Sequence, residues 1–272
     1  MGQTGPTPGY FVKSPSGKRI GLSDSLFLRS VWTRSGAVLN GVVEWKNLEP
    51  ELSLGTLVIE RADSTGTALT LLRIDPAHFS FKILGEPGPG RTIRDWIVSD
   101  GCVAGINGGY FFLKNDDPQR KCPLGLLVKD GAVISGYRKN YSGCFTFDAG
   151  HPEFAYKTKP AKSVSGALQS FPMLIYDGRI PGEVMSENSA LHIHRLSRRS
   201  ALGEDWEGRI LFLITGSEVS FRELGFLAGA MGFRHCLSLD GGGSSQLCVL
   251  SKDTVEVRGM DKIPVGIGIA RK

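Results

Sequence analysis

The stretch SFRELGFLAGAMGFRHCLSLDGGGSS, residues 220–245, contains the strongest local structure signals in the chain. Ser220 and Glu223 have the spacing of a capping box, in which each side chain accepts a hydrogen bond from the other residue's backbone at the start of a helix. Gly232 suits the position that follows a helix end, where glycine tolerates a left-handed backbone. The stretch therefore predicts a helix over residues 220–232.

Strands dominate the rest of the sequence. The predicted helix leads through FRH into an apolar strand over residues 236–239, which stops at Asp240. Short apolar or alternating runs such as ALTLLRI, CFTFDA and RILFLIT have the length and β-branched content of strands. KDG at 129–131 and DWEG at 205–208 lie between such runs and are hairpin turn signals.

Helices are fewer than strands in this pattern. A second helix is predicted over residues 92–101, where three apolar side chains share one face. Neither a repeat nor a linker divides the body of the chain, so we expect one α+β domain over 11–272 with a large mixed or antiparallel sheet. Residues 1–10 are rich in Gly, Pro and Thr and are expected to be disordered or a tag remnant.

Composition narrows the classes of function. The 272-residue chain is 41% hydrophobic and 22% charged, as is typical of a soluble globular protein. Its net charge of +5 is thinly spread, with tight basic clusters only in RLSRRS (195–200) and RKN (138–140). This pattern argues against nucleic-acid binding and favours a small anionic ligand. No membrane span and no signal peptide are predicted, which leaves cytosolic and exported locations open.

The five cysteines show no zinc-binding spacing. Cys102, Cys236 and Cys248 lie in apolar runs and are expected to be buried thiols. Cys122 and Cys144 flank a predicted hairpin, which leaves a disulfide between them open.

Two histidines have a spacing that suits metal ligands. His192 and His194, at i and i+2, would place both rings on one face of a strand. His151 and His235 are present elsewhere, but neither stands in a matching context as a third ligand. Core or solvent-facing histidines are the favoured interpretation, and neither a metal nor a cofactor is predicted.

Asp240 is the first candidate functional residue, because it follows a buried strand and precedes a glycine-rich loop. Glycines let a ligand approach the backbone, and successive N–H groups can converge on an anion, with serine hydroxyls as further donors. The alternative is a loose hairpin that carries a surface aspartate. The loop residues are Gly241, Gly242, Gly243, Ser244 and Ser245.

A second segment repeats this design. In AGINGGYFF, residues 104–112, an apolar strand leads to Asn107, then to Gly108 and Gly109, and then to Tyr110, whose ring could pack against a sugar. An ordinary Asn-Gly hairpin turn is the alternative.

A third segment, HRLSRRSALGED (194–205), places Arg198 and Arg199 at the start of a strand. By alternation, one of the two should point inward. An inward arginine requires an anion, either a buried carboxylate or a ligand phosphate.

Together the three segments resemble the phosphodiester glycosidase family. NGGYF at 107–111, RSALG at 199–203 and LDGGGSS at 239–245 match that family's motifs in order, and the resemblance covers roughly residues 68–270. The spacing to SALG favours Arg199 over Arg198 as the matching arginine.

The resemblance implies cleavage of the bond between a sugar's anomeric carbon and the oxygen of a phosphodiester, in an exported or cell-envelope protein. A phosphate monoester leaves as a weak base, so a cation clamp and one carboxylate replace the two carboxylic acids of other glycosidases. The implied catalytic residues are Asp240, Asn107 and Arg199, and the implied substrate contacts are Gly108, Gly109, Tyr110, Ser200, Gly241, Gly242, Gly243, Ser244 and Ser245.

Two other functions stay open from the sequence. A phosphodiesterase would cleave the phosphorus–oxygen bond instead. A non-catalytic module of the cell envelope would bind anionic glycans with the same residues. In every case the expected partner is an anionic glycan or a sugar-phosphodiester.

Overall fold

The computed structural model describes residues 9–13, 19–22, 43–61, 65–148, 151–160, 164–186, 193–252 and 254–272. The predicted α+β class is confirmed, in a strongly β-rich form with short helices. Residues 1–8, most of the segment expected to be disordered, lie outside the described residues, and Tyr10 begins the first strand. None of the helices in these ranges has the length and apolar character needed to cross a membrane.

The elements of the described residues are as follows, in chain order. The strands are β1 (Tyr10–Lys13), β2 (Arg19–Leu22), β3 (Glu44–Glu49), β4 (Leu52–Arg61), β5 (Gly66–Ile74), β6 (Phe79–Gly85), β7 (Ala104–Asn107), β8 (Phe111–Lys114), β9 (Asp117–Pro123), β10 (Leu127–Lys129), β11 (Ala132–Ser135), β12 (Gly143–Phe147), β13 (Glu153–Tyr156), β14 (Gly166–Ser170), β15 (Met173–Ile175), β16 (Ser200–Asp205), β17 (Ile210–Thr215), β18 (Phe233–Ser238), β19 (Leu247–Val249), β20 (Val255–Val257) and β21 (Val265–Arg271). The helices are α1 (Ile93–Ser99), α2 (Gly182–Met185) and α3 (Phe221–Ala230).

Three sheets and one hairpin form the scaffold. The largest sheet has the order β15-β18-β16-β17-β5-β4-β1-β2, with β3 also paired to β4. Two five-stranded sheets have the orders β11-β10-β14-β12-β13 and β20-β19-β7-β21-β6, and β8 pairs with β9. The strand pairs found in the described residues are antiparallel.

The central sheet is covered on both faces, which explains why ILFLIT is apolar throughout rather than alternating. Leu211 and Leu213 of β17 join a core with α3, whereas Phe212 joins a second core on the opposite face. That second core brings in the five-stranded sheets, where Phe81 and Phe145 meet edge to face with centroids 5.7 Å apart. Burial of alternate side chains in two layers fixes the register of the strand.

The predicted capping box is present at the start of α3. The Ser220 hydroxyl accepts a hydrogen bond from Glu223 N at 3.1 Å, and the Glu223 carboxylate accepts one from Ser220 N at 2.7 Å. Gly232 has a φ of +88°, the left-handed conformation expected after a helix end. The predicted bounds of the following strand, 236–239, were wrong, because β18 spans Phe233–Ser238. FRH belongs to this strand because its backbone pairs with β16.

Both predicted hairpin turns occur. Asp130 and Gly131 have φ values of +50° and +79° between β10 and β11, as a tight two-residue turn requires. Residues 206–209 connect β16 to β17, and Gly208 has a φ of +80°. The second predicted helix is also present as α1, with Thr92 as its N-cap.

The cysteines are all free. Cys102, Cys236 and Cys248 are buried, as expected. Cys122 and Cys144 are not bridged, because Cys122 lies on the β8–β9 hairpin while Cys144 is buried in the sheet of β12.

Antiparallel pairing brings two of the sequence segments to one edge of the central sheet. Ala201 of β16 lies opposite Ser238 of β18, so the start of β16 is beside the end of β18. Leu239 N donates to Ser200 O at 2.9 Å and continues this contact beyond the strand. Arg199 and Asp240 therefore emerge side by side, although 41 positions separate them in sequence.

Candidate functional site

A cleft of about 410 Å³ opens at this edge of the central sheet. The end of β18, the start of β16 and the N-terminus of α3 form its walls. Its lining combines one carboxylate, two guanidinium groups and four aromatic rings. The lining residues are Tyr110, Tyr141, Phe171, Arg195, Ser197, Arg199, Phe221, Asp240, Gly241 and Gly242.

Asp240 presents its carboxylate to the cleft from the end of β18. Burial raises the pKa of this carboxyl to about 6 from its ordinary 3.8, and Asp261 acts in the same direction. The Ser244 hydroxyl and Gly241 N donate hydrogen bonds to the carboxylate, the latter at 2.9 Å, and oppose the rise. A carboxyl that titrates near neutral pH is suited to proton transfer or to nucleophilic attack.

Arg199 faces Asp240 with its side chain fixed by backbone oxygens and an aromatic ring. The residue is only 5% exposed. Its Nε donates to Val219 O at 3.1 Å, one Nη donates to Arg195 O, and its guanidinium carbon lies 3.6 Å from the centre of the Phe221 ring. Burial lowers the pKa of Arg199 to about 10, so the group stays charged at neutral pH. A fixed, desolvated cation of this kind is suited to holding an anionic group.

Arg198 lies outside the cleft lining. Its Nη1 donates to Arg258 O at 3.2 Å. The alternation expected for these two arginines thus leaves Arg199 inward and Arg198 directed to the neighbouring loop.

Asn107 lies beneath the cleft rather than on its wall. The side chain is fully buried, its Nδ2 donates to Asp240 O at 2.8 Å, and its Oδ1 accepts from Gln246 N at 3.1 Å. Asp240 N in turn donates to Gly108 O at 3.1 Å. Because both ends of the amide are used by backbone groups, Asn107 fixes the position of Asp240 and its loop.

The glycine-rich loop differs from the expected anion nest. Its residues form a 3₁₀ turn over Gly242–Ser244. Four N–H groups of the loop donate within the protein: Gly241 N to Asp240 Oδ1, Gly242 N to Arg198 O, Ser244 N to Gly241 O and Ser245 N to Gly242 O. A Cβ on Gly241 would lie 2.6 Å from Arg198 O, and one on Gly243 would collide with the Asp261 carboxylate. These glycines therefore allow the arginine segment and the loop after Met260 to pack closely.

The aromatic wall is built partly from residues without a sequence signal. The Tyr110 hydroxyl donates to Phe171 O at 2.8 Å. Burial raises the pKa of Tyr110, and the negative charge of the nearby Asp240 contributes to the rise to a smaller extent. Tyr110 and Tyr141 meet edge to face at 5.8 Å between centroids, and Tyr141 is 6.4 Å from Phe171. Of the lining residues that sequence reasoning missed, Arg195 lies in the basic cluster RLSRRS and Phe221 follows the helix cap, whereas Tyr141 and Phe171 lie in no motif.

The remaining predicted contacts are packed below the cleft. A Cβ on Gly108 would lie 2.9 Å from Val265 O, and one on Gly109 would lie 3.0 Å from Gln169 O. Ser200 and Ser245 are fully buried, and their hydroxyls have no hydrogen-bond partner among the described residues.

One of the two histidines considered as metal ligands, His194, lies in a turn rather than on a strand. Its Nε2 donates a hydrogen bond to Ser186 O at 3.2 Å, and His192 is outside the described residues. Within the part of the chain that the structure describes, no group of three or more His, Cys, Asp and Glu side chains is arranged to hold a metal ion.

Solved structures share this architecture. A hypothetical protein from Synechocystis aligns with a TM-score of 0.68 at 14% identity, over 85% of this chain and 64% of that one, so the chain spans under two thirds of that protein. The catalytic domain of zebrafish N-acetylglucosamine-1-phosphodiester alpha-N-acetylglucosaminidase, auto-inhibited by its pro-peptide, aligns with a TM-score of 0.64 at 16% identity, over 86% of this chain and 91% of that one. At such identities the likeness concerns the fold alone.

Comparison of sequences identifies the family. No curated protein matches the chain at a significant level. The profile of the family described as phosphodiester glycosidase matches residues 100–270, a region that contains Asn107, Arg199 and Asp240. The chain belongs to the phosphodiester glycosidase family.

Proposed function

We propose that this protein hydrolyses the glycosidic carbon–oxygen bond of a sugar-1-phosphodiester and releases a free sugar and a phosphate monoester. Family membership supports this class of substrate. The observation that carries the proposal is the pairing, in one cleft, of the buried cation of Arg199 with the Asp240 carboxyl, whose pKa is about 6.

Arg199 binds the phosphodiester and stabilises the departing phosphate. The leaving monoester is a weak base, so charge stabilisation assists its departure without a carboxylic acid to protonate it. The Arg199 side chain is already held by Val219 O, Arg195 O and the Phe221 ring, so little reorganisation is needed when the anion binds.

Asp240 supplies the carboxylate. It either takes a proton from the water that attacks the anomeric carbon, or it displaces the phosphate itself and forms a glycosyl ester, which water then hydrolyses to release the sugar. Both roles require the ionised form. The hydrogen bonds from Gly241 N and the Ser244 hydroxyl orient the carboxylate, and Asn107 fixes the backbone that bears it. The Tyr110 and Tyr141 rings offer an apolar face to the sugar.

The test uses water enriched in heavy oxygen. The protein is incubated with an N-acetylglucosamine-1-phosphate ester, and both products are analysed by mass spectrometry. The proposal requires the label in the anomeric hydroxyl of the sugar and an unlabelled phosphate monoester. Label in the phosphate would instead assign a phosphodiesterase.

Asp240→Asn is the matched control, because it preserves the shape of the loop while removing the charge. Turnover should disappear in this variant. Normal turnover by Asp240→Asn would refute the assigned role. Binding without turnover by the unaltered protein, across several sugars, would assign a non-catalytic glycan-binding module.

A further inference from the structure

Three neighbouring segments lie beside the cleft, and we call them the rim: residues 195–198, 258–262 and the hairpin 111–123. Contacts to backbone oxygens join them. Arg198 Nη1 donates to Arg258 O at 3.2 Å, and Lys121 Nζ donates to Lys262 O.

Each segment of the rim also adjoins the cleft itself. Arg195 and Ser197 line it. Met260 N donates to Gly243 O at 2.8 Å, in the loop that follows Asp240. The hairpin begins directly after Tyr110, which lines the cleft. The rim therefore lies beside the cleft, with Arg195 and Ser197 in its lining.

Exposed apolar side chains concentrate on the rim. Of the eight large apolar residues that are exposed in the described part of the chain, four lie on its 22 positions. They are Phe112 (47% exposed), Leu113 (52%), Leu196 (54%) and Met260 (85%). Clustered exposed apolar groups beside a functional opening mark a surface that contacts a protein partner, a ligand or a membrane.

Positive charge concentrates on the same surface. The rim carries seven basic and three acidic side chains, a net charge of +4 out of +5 for the whole chain. The basic residues are Lys114, Arg120, Lys121, Arg195, Arg198, Arg258 and Lys262, and the acidic ones are Asp116, Asp117 and Asp261. Of these acidic groups, Asp116 is paired with Lys114, and the Asp261 carboxylate packs against Gly243.

We propose that the rim docks onto the surface of an anionic lipid bilayer, with the cleft opening toward the lipid headgroups. Apolar side chains interspersed with Lys and Arg are the composition that inserts at the boundary of headgroups and acyl chains. The core of a protein–protein interface is instead depleted of charged residues, whereas here Arg195, Leu196 and Arg198 alternate within four positions. This inference goes beyond the proposed hydrolysis and does not depend on it, because docking is measured without turnover.

The first experiment measures binding to vesicles. The full chain is sedimented with vesicles of phosphatidylcholine alone or of phosphatidylcholine and phosphatidylglycerol in equal parts. Each basic side chain near an anionic surface strengthens binding about fivefold, so the net charge of the rim predicts binding at least roughly 100-fold tighter to the anionic vesicles. Raising the salt to about 0.5 M should abolish the difference, because the Debye length shortens to a few Å. Equal binding to both vesicles, or no binding to either, overturns the proposal.

The second experiment locates the docked face. Met260→Trp places a fluorophore on the rim, and Val98→Trp places one at a 61% exposed position near the end of α1. Brominated acyl chains in the anionic vesicles should quench the added emission of Met260→Trp and leave that of Val98→Trp unchanged. Equal quenching of both, or quenching of Val98→Trp alone, would mean that another face docks.

A second copy of the chain is the alternative occupant of the rim. Absence of vesicle binding together with a dimer that Met260→Ser disrupts would assign the rim to that second copy and overturn the proposal of bilayer docking.

Discussion

Replacing Asp240 with asparagine should stabilise the folded protein above pH 6 while removing activity. Burial raises the pKa of Asp240 to about 6 in the folded protein, against an ordinary value of 3.8. The folded state therefore holds the proton more tightly than the unfolded chain does. This contribution to stability is fully present below pH 3.8 and is lost as the pH rises through 6. The gap between the two pKa values corresponds to about 3 kcal/mol at pH 8.

Asparagine avoids this loss because it is neutral at every pH and keeps the hydrogen-bonding pattern. In the unaltered protein, Gly241 N donates to Asp240 Oδ1 at 2.9 Å, and the Oδ1 of asparagine can accept the same hydrogen bond. The Ser244 hydroxyl, which donates to the carboxylate, can turn to accept from the amide nitrogen instead. Asp240→Asn should therefore unfold at a temperature roughly 5–10 °C higher than the unaltered protein at pH 8, and at about the same temperature at pH 4.

Calorimetry across pH 4–8.5 measures this difference directly. Asp116→Asn, at an exposed position of the hairpin, removes the same charge without the burial and should show no such pH-dependent gain. If Asp240→Asn is no more stable than the unaltered protein at pH 8, or if its gain is the same at pH 4, the carboxylate is not desolvated as described. In the same range, kcat/KM of the unaltered protein should rise through pH 6 with the ionised fraction of Asp240.

Four further substitutions test the site. Arg199→Lys should lower kcat/KM about 100-fold or more, because lysine cannot keep both backbone contacts and the ring contact while it holds a phosphate. Arg198→Ala should have only a small effect on kcat/KM, and the reverse result would exchange the roles of the two arginines. Asn107→Ala should lower the free energy of unfolding by about 2 kcal/mol or more, because it leaves Gln246 N buried without its acceptor. Denaturant titration measures this loss, and unchanged stability would contradict it. Ser220→Ala should lower the free energy of unfolding by about 1 kcal/mol through loss of the helix cap, and it should leave turnover of the folded protein intact. Loss of turnover in a fully folded variant would place Ser220 in the site.

The parts of the fold that sequence predicted are those that depend on local interactions. The capping box of α3 involves residues three positions apart, and the hairpin turn at Asp130 and Gly131 depends on two adjacent residues. Their geometry is determined within one turn of backbone, so the pattern is sufficient. The strand before Asp240 was predicted over 236–239, whereas β18 spans Phe233–Ser238; its start was missed because pairing with β16 rather than local preference begins that strand.

The composition of the cleft wall depends on contacts between distant segments. Tyr141 and Phe171 reach the cleft through the packing of Tyr141 against Tyr110 and the hydrogen bond from Tyr110 to Phe171 O. Neither residue follows a strand end with glycines, and an aromatic residue in an irregular segment has no periodicity to reveal its neighbours. The position of such residues in the cleft is known only from the tertiary structure.

Asn107 shows why a correct motif can still mislead about a role. A polar residue at the end of a buried strand must find hydrogen-bond partners, and a ligand or the protein itself can supply them. The sequence shows that hydrogen-bond partners are needed but not whether a ligand or the protein provides them. Here Asp240 O and Gln246 N, 133 and 139 positions away, supply them, so the amide joins the two strand ends instead of facing the cleft. The carboxylate of Asp240, whose backbone this amide holds, faces the cleft, so in the proposed reaction Asn107 acts through Asp240.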